Sequence, residues 1–302
     1  MACLLSKVKA TPLEQEQLEI IEKTLQETSN EESYRRLGSK NECEIPAIEG
    51  LNHWFQLNVA EELAWLRKKI WEIKDTDAKN FLEAVFSSIV VRVSNQESDT
   101  RFAAIEKSIS DGFTFKLFLE KANNFLQHIK KFSEQAKNKA KVEVYNTDSR
   151  NLDFLEVESF DLIVTSPPYA NTYDYYLYHK FRKRWLDLDV KFAQYNEIGS
   201  RREFSSLKKS PDKWVEDLGK TLSEMSRVLK AGKYIFLVIG DSVINKELLK
   251  IDEIISDIAP HHSLMMIDIL SSDLAKHSKL FNPAFVQRGK KEHLIQLRKL
   301  ND

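Results

Sequence analysis

The sequence predicts an α/β fold with a block of helices in front of it, on three observations. Helix-period patterns give way near Lys141 to short apolar runs separated by helices, the alternation of an α/β sheet. Phe160-Asp161-Leu162-Ile163-Val164 reads as an apolar strand of the kind buried in a parallel sheet. Trp214, Leu218, Leu222, Met225 and Leu229 follow at spacings of 4, 4, 3 and 4, one face of a helix, and Ala231-Gly232 stops it just before the strand Tyr234–Ile239. With 302 residues, 42% hydrophobic and 30% charged, the chain is ordinary for a globular protein and large enough for a core without staples.

Taken in order, residues 1–50 read as a leading arm. Pro12–Gln26 forms a helix with Leu18, Ile21 and Leu25 on one face, and Ser29–Pro46 is a polar surface loop. Residues 51–140 form a helical block. One helix carries Leu63, Leu66, Ile70 and Ile73; the next, Ala78–Val93, is apolar nearly all round and hence buried; a third runs from Phe113 to about Ala136 and ends in a lysine-rich exposed turn. Residues 141–302 make up the α/β region, with a basic and aromatic insert at about 171–213. Val142, Val144 and Tyr145 form its first short strand, ending in Asn146-Thr147-Asp148. A helix near Lys246–Ile258 and strands Leu264–Leu270 and His293–Arg298 close the chain.

Composition excludes several classes. Lys plus Arg is 45 against 46 for Asp plus Glu, a net charge of -1, so any polyanion contact has to come from local clustering. Cys3 and Cys43 have neither metal-ligand nor disulfide spacing and fit a reduced cytosol; no metal is expected. Ala2–Leu5 is too short for a signal peptide and Tyr234–Ile239 too short for a membrane span, so the expectation is a soluble cytoplasmic protein. There are only eight glycines, well under the average usage of roughly 7%. No two of them form a G-x-G, so the sequence has no glycine-rich phosphate or nucleotide loop.

The chemistry concentrates in Thr165-Ser166-Pro167-Pro168-Tyr169, directly after the Phe160–Val164 strand. Ligand crevices in open α/β sheets lie at the carboxyl ends of strands. Two prolines fix two φ angles and remove two N–H donors, leaving a stiff loop that presents acceptors: the Ser166 hydroxyl oxygen and backbone carbonyls. Tyr169 adds an aromatic plane. Acceptors beside a stacking face suit a planar ring that bears an exocyclic amine. A rigid loop with Tyr169 as a packing residue is the plainer reading, and position after the strand favours the functional one.

FDLIVTSPPY resembles the catalytic motif of the DNA amino-methyltransferases, which methylate cytosine N4 or adenine N6. Asn146-Thr147-Asp148-Ser149-Arg150 resembles the family's acidic turn. Tyr173-Asp174-Tyr175 onward to Trp185, and Glu197-Ile198-Gly199-Ser200, resemble one subgroup, and Arg227–Lys233 leading into a strand is shared across the fold. The resemblance implies the S-adenosylmethionine-dependent methyltransferase fold, with S-adenosyl-L-methionine as cofactor. It assigns Ser166, Pro167, Pro168 and Tyr169 to catalysis and Asp148 and Thr165 to cofactor binding, Asp148 accepting from the adenine amine. The T-S-P-P-Y form points to cytosine N4, with adenine N6, amino-directed RNA methylation and a non-catalytic remnant that only binds DNA as alternatives. The implied setting is DNA methylation of the restriction-modification kind. For Asp174 and Asp241 the sequence leaves helix capping and a site role both open.

One departure is as informative. The family holds its cofactor with a glycine-rich loop that is absent from this sequence, and its sheet order is 3-2-1-4-5-7-6. The expectation is an incomplete Rossmann-like parallel sheet with the first two strands missing, completed by a second polypeptide carrying the glycine loop. Residues 179–213 hold ten Lys or Arg and five acidic residues, +5 in a chain of -1, interleaved with aromatics. Within them Arg182, Lys183, Arg184, Arg201 and Arg202 are the candidates for phosphate contacts on double-stranded DNA.

Overall fold

The computed structural model describes residues 1–36, 43–136, 141–273 and 289–301. The chain divides into two compact units, one of residues 1–146 and 176–195, the other of residues 147–175 and 196–302. The stretch expected as one insert at about 171–213 is thus shared between them.

The first unit is helical. Helices α1 (Ala2–Ala10) and α2 (Gln15–Arg36) lead into α3 (Leu51–Trp54), α4 (Leu57–Trp71) and α5 (Thr76–Val93). A hairpin of β1 (Gln96–Ser98) and β2 (Arg101–Ala104) precedes α6 (Phe113–Ala136). Later residues add α7 (Tyr175–Tyr178), α8 (Lys180–Trp185) and α9 (Val190–Asn196). Helix α2 continues to Arg36, so Ser29–Arg36 is helical and not the start of a loop. The run Glu31-Glu32-Ser33-Tyr34-Arg35-Arg36 has no glycine or proline to stop it. The lysine-rich turn expected after Ala136 lies outside the described residues. Helix α5 begins where Asp75 accepts from the Asp77 and Ala78 amides at 3.0 and 2.8 Å, and its buried residues include Phe81, Leu82, Val85, Phe86, Ile89 and Val90. Glu62 is fully buried, yet its carboxylate accepts from the Gly112 and Thr114 amides at 2.6 and 3.0 Å, fastening α4 to the start of α6.

The second unit is α/β. Its strands are β3 (Phe160–Thr165), β4 (Leu229–Gly240), β5 (Ser242–Ile244), β6 (Glu247–Leu249), β7 (Leu264–Asp273) and β8 (Lys291–Lys299). Helices α10 (Arg201–Ser205), α11 (Asp212–Val228) and α12 (Ile251–Ile258) accompany them. The main sheet has order β3-β4-β8-β7, with β3 parallel to β4 and the other two pairs antiparallel. In chain order that is the 4-5-7-6 half of the expected sheet. Leu218, Leu222 and Met225 of α11 share a core with Leu229, Ile235, Leu237 and Ile239 of β4 and Ile295 and Leu297 of β8.

Three expectations are corrected. Val142–Tyr145 is not a strand: residues 141–148 are without regular structure, and Val142 and Tyr145 are more than half exposed. A strand exists through its ladder, and no described strand pairs with this one. Phe160–Thr165 is a strand but not a buried one. It is the edge of the sheet, and Phe160, Leu162 and Val164 are 40, 52 and 69% exposed. The helix expected from Lys246 starts only at Ile251, because Asn245 and Lys246 adopt positive φ and turn the β5–β6 hairpin.

Candidate functional site

The loop after β3 is stiff, and other residues hold it in place. Ser166 is exposed, Pro167 buried, and Thr165, Pro168 and Tyr169 lie between. Trp214, at the start of α11 and 1% exposed, donates its indole N–H to the Pro168 carbonyl at 3.1 Å. Against that indole sits Gly199, with φ +72; a Cβ there would lie 2.6 Å from Trp214 Cδ1, so no side chain fits. The Asn171 amide donates to the Gly199 carbonyl at 2.8 Å, and the Asn171 side-chain amide to the Val243 carbonyl at 2.7 Å. The loop therefore has one of its carbonyls occupied by Trp214, with Ser166 facing solvent.

Tyr169 is anchored at its far end. Its phenol donates to Glu292 Oε1 of β8 at 2.9 Å. Burial, reinforced by Glu292, pushes the phenol up to about 12, while the Ser166 side chain acts in the opposite sense.

A cleft opens beside the loop, lined by Ser149, Thr165, Ser166, Pro167, Pro168, Ile198, Trp214, Leu218, Thr221 and Met225. Asp148 stands next to Ser149 in a tight turn. Its carboxylate accepts from the Arg150 amide at 2.9 Å and from the Arg150 guanidinium at 2.6 to 3.1 Å, which holds it below the usual carboxylate range. Arg150 also pairs with buried Asp217 at 3.1 Å, and Lys213 reaches the same carboxylate at 2.7 Å. The sequence reading missed Trp214 as a loop anchor, along with Arg150 and Glu292. Gly199 lies in a segment marked through the resemblance alone.

The five basic candidates differ in their surroundings. Arg182 is buried: its guanidinium donates to the Ser87 carbonyl at 2.9 Å, meets Asp99 at 2.5 Å and faces His179 Nδ1 at 3.1 Å. His179 is driven down to about 4 by burial, then by Arg182 and Lys183, so its ring is the neutral acceptor in this contact. Arg184 and Arg201 are exposed, and Lys183 and Arg202 partly so. Lys183 and Arg184 belong to the helical unit, Arg201 and Arg202 to the α/β unit.

The two aspartates left open by the sequence have structural partners. Asp174 accepts from the Arg202 amide at 3.2 Å, at the start of α10. Asp241 accepts from the Ile251 amide at 3.0 Å, from the Lys291 amide at 2.9 Å and lies 3.1 Å from His293 Nε2. Among the described residues, Asp241, Asp252 and His293 bring several potential metal-ligand atoms close together, and Asp241 is already used by amides.

Residues 160–295 match the DNA methylase family of the N6 and N4 amino-methyltransferases. Over this span the chain is similar to the DNA amino-methyltransferases. The matched span runs from the β3 strand through the Thr165–Tyr169 loop to β8. Among curated relatives, the type II methyltransferase M.MvaI of Kocuria varians is 25% identical, over 84% of this chain and 66% of its own length. The type II methyltransferase M.MjaII of Methanocaldococcus jannaschii is 30% identical, over 40% of this chain and 25% of its own length. The chain thus spans just under two thirds of the first relative and a quarter of the second. Among solved structures, TTHA0409 of Thermus thermophilus, complexed with S-adenosyl-L-methionine, is 18% identical with a TM-score of 0.33, over 51% of this chain and 54% of that one. A SAM-dependent methyltransferase of Methanosarcina mazei is 10% identical with a TM-score of 0.31, over 58% and 77%.

Proposed function

We propose that this chain carries the catalytic part of a DNA methyltransferase acting on the exocyclic amine of a flipped base, cytosine N4, with S-adenosyl-L-methionine as methyl donor. The observation that carries the reading is the Ser166–Tyr169 loop, fixed by Trp214 and Glu292 at the carboxyl end of β3 with Ser166 exposed. The adjacent cleft suits an adenosyl group in its chemistry. Ile198, Leu218 and Met225 offer apolar walls, Thr165 and Thr221 hydroxyls, and Asp148 an acceptor next to Ser149. When bound, the cofactor supplies an electrophilic sulfonium methyl.

The chain's own residues do the positioning. The amine of cytosine is conjugated with the ring, so its lone pair is a poor nucleophile. Hydrogen bonds from its two protons to Ser166 Oγ and the Pro167 carbonyl would hold the nitrogen toward a pyramidal geometry, with its lone pair freed from the ring. Once methylated, the amine would give up one of its protons to solvent, Ser166 and Pro167 having held it in place. With the Pro168 carbonyl taken by Trp214, the amine is directed to these two acceptors. Tyr169 provides the stacking face for the extruded base, worth roughly 1–3 kcal/mol. Exposed Arg184 and Arg201 are the phosphate contacts this reading favours, while Arg182 holds the helical unit together.

A second polypeptide completes the cofactor site in this reading, carrying the glycine-rich loop and pairing with the free edge of β3. The sequence has no G-x-G, and among the described residues β3 is paired on one side only and carries exposed apolar side chains, a surface that soluble proteins otherwise cover or charge. Calorimetry on the isolated chain tests this point: weak or absent S-adenosylmethionine binding is expected, and tight binding by the chain alone overturns the need for a partner.

A further inference from the structure

The carboxyl edge of the main sheet holds a second cluster of reactive side chains. Strand β7 runs parallel to β4, since both are antiparallel to β8, so the ends of β3, β4 and β7 lie at one edge. Ligand crevices form at such edges. Asp241 directly follows β4, Ser271 lies near the end of β7, and His293 stands opposite Ser271 near the start of β8. The Ser271 hydroxyl is 2.8 Å from His293 Nδ1, and His293 Nε2 is 3.1 Å from Asp241 Oδ1. Asp241 and His293 are buried, while Ser271 is exposed. Amides hold both Asp241 oxygens in place, Ile251 donating to Oδ1 at 3.0 Å and Lys291 to Oδ2 at 2.9 Å.

These contacts fix the hydrogens. A carboxylate only accepts, so His293 donates from Nε2; Nδ1 of the neutral ring is then an acceptor, and the Ser271 O–H donates to it. Nucleophile, base and orienting carboxylate thus follow the order of a Ser-His-Asp triad, which geometry and roles define. We propose that Ser271 is a nucleophile toward carboxylic esters, with His293 as its general base and Asp241 as the group that orients the base. Ser271 Oγ bonds to the acyl carbon as its proton passes to His293 Nδ1, and Asp241 stabilises the charged ring. The bond to the leaving alkoxide then breaks, the alkoxide takes that proton from His293, and an acyl-serine remains. Water, giving a proton to His293, attacks the acyl carbon; the acid leaves and Ser271 Oγ recovers the proton. Strand β7 is the edge of the sheet among the described residues, and N–H directions alternate along a strand. The amide of either Ser271 or Ser272 therefore points away from β8, available to a developing oxyanion. This chemistry is separate from methyl transfer: Glu292, next to His293, projects to the other face of β8 and binds Tyr169 there.

The test uses the whole chain, with neither DNA nor S-adenosylmethionine. A fluorophosphonate, which forms a P–O bond to an activated serine as fluoride leaves, is added, and the adduct is mapped by mass spectrometry of peptides. Ser272 serves as the control within the same molecule: it is exposed and next in the chain, but faces Glu292 rather than a histidine. Ser271 is expected to label about a hundredfold faster than Ser272, the scale of general-base assistance. No adduct, or equal labelling of the two serines, overturns the proposal. His293→Gln is expected to slow labelling of Ser271 at least about tenfold and leave Ser272 unchanged; if that variant does not fold, the wild-type comparison decides alone. With p-nitrophenyl acetate, the chain is expected to release a burst of p-nitrophenolate and to carry the acetyl group on Ser271. Ser271→Ala is expected to abolish the burst without changing thermal unfolding. A burst that survives Ser271→Ala contradicts the assignment.

Discussion

Strands β3 and β4 lie side by side in one parallel pair, Leu162 opposite Tyr234 through Thr165 opposite Leu237, and their sequences look alike. Phe160–Thr165 and Tyr234–Ile239 are both short apolar runs, the pattern of strands buried on both faces. Their surroundings differ. In β4, Ile235, Leu237 and Ile239 are completely buried in one core with α11, and on its other face Phe236 and Val238 are half-buried; in β3, Leu162 and Val164, on that other face, are more than half exposed. An apolar run therefore records the neighbours a strand is made for. In β4 those neighbours are β3 and β8; in β3 one of the two is absent from the described residues.

The largest effect expected from this contrast is in stability. Leu237→Ala in β4 should destabilise the α/β unit by about 2–5 kcal/mol, through lost burial and the cavity left behind. Val164→Ala in β3 should change it by no more than about 0.5 kcal/mol, as an exposed substitution does. Chemical denaturation of the two variants compares them directly; equal losses would mean that the edge of β3 is covered in the chain alone.

The next effect separates the arginines. Arg182→Gln should destabilise the helical unit by about 1–3 kcal/mol, since a buried charged donor to Ser87 and Asp99 is lost. Neutralising Arg184 and Arg201 should leave thermal unfolding nearly unchanged and flatten the salt dependence of DNA binding, because fewer counterions are released. An unchanged slope would make those residues an ordinary solvated surface.

The sequence pattern carried the α/β class and the Thr165–Tyr169 loop, and the resemblance carried the order of the last four sheet strands. Paired prolines after an apolar strand constrain the backbone whatever surrounds them. It did not carry Arg182, because the groups that bury it, Ser87 and Asp99, lie 95 and 83 residues away. Glu292 was equally hidden: in sequence it is one polar residue in an alternating strand, and only the pairing with Gly240 brings it to Tyr169. The β5–β6 hairpin escaped because its turn uses Asn245 and Lys246 at positive φ, without the glycine that usually marks such a turn. Val142–Tyr145 failed for the reason that exposes β3: propensity describes a strand, and pairing makes one.

A smaller effect lies at Gly199. Gly199→Ala should cost about 1–3 kcal/mol, from strain at φ +72 and a Cβ pressed on Trp214, and should loosen the Thr165–Tyr169 loop more than it lowers stability elsewhere. Hydrogen exchange around Asn171, whose amide bonds to the Gly199 carbonyl, reports that loosening. The smallest effect is in the pH dependence. His179 has a folded value near 4 against about 6.5 unfolded, so its contribution is complete above about pH 6.5 and declines as the pH falls toward 4. His179→Gln should flatten stability against pH in that window, as followed by denaturant titrations at each pH.

The central claim is that Ser166 presents an acceptor to an exocyclic amine in an enzyme completed on the free edge of β3. Nucleoside mass spectrometry tests it most directly, on DNA incubated with S-adenosylmethionine and this chain paired with a polypeptide that carries the glycine-rich loop. The account predicts 4-methylcytosine from the pair and a steep loss of it with Ser166→Ala; undiminished methylation by the Ser166→Ala protein would contradict it.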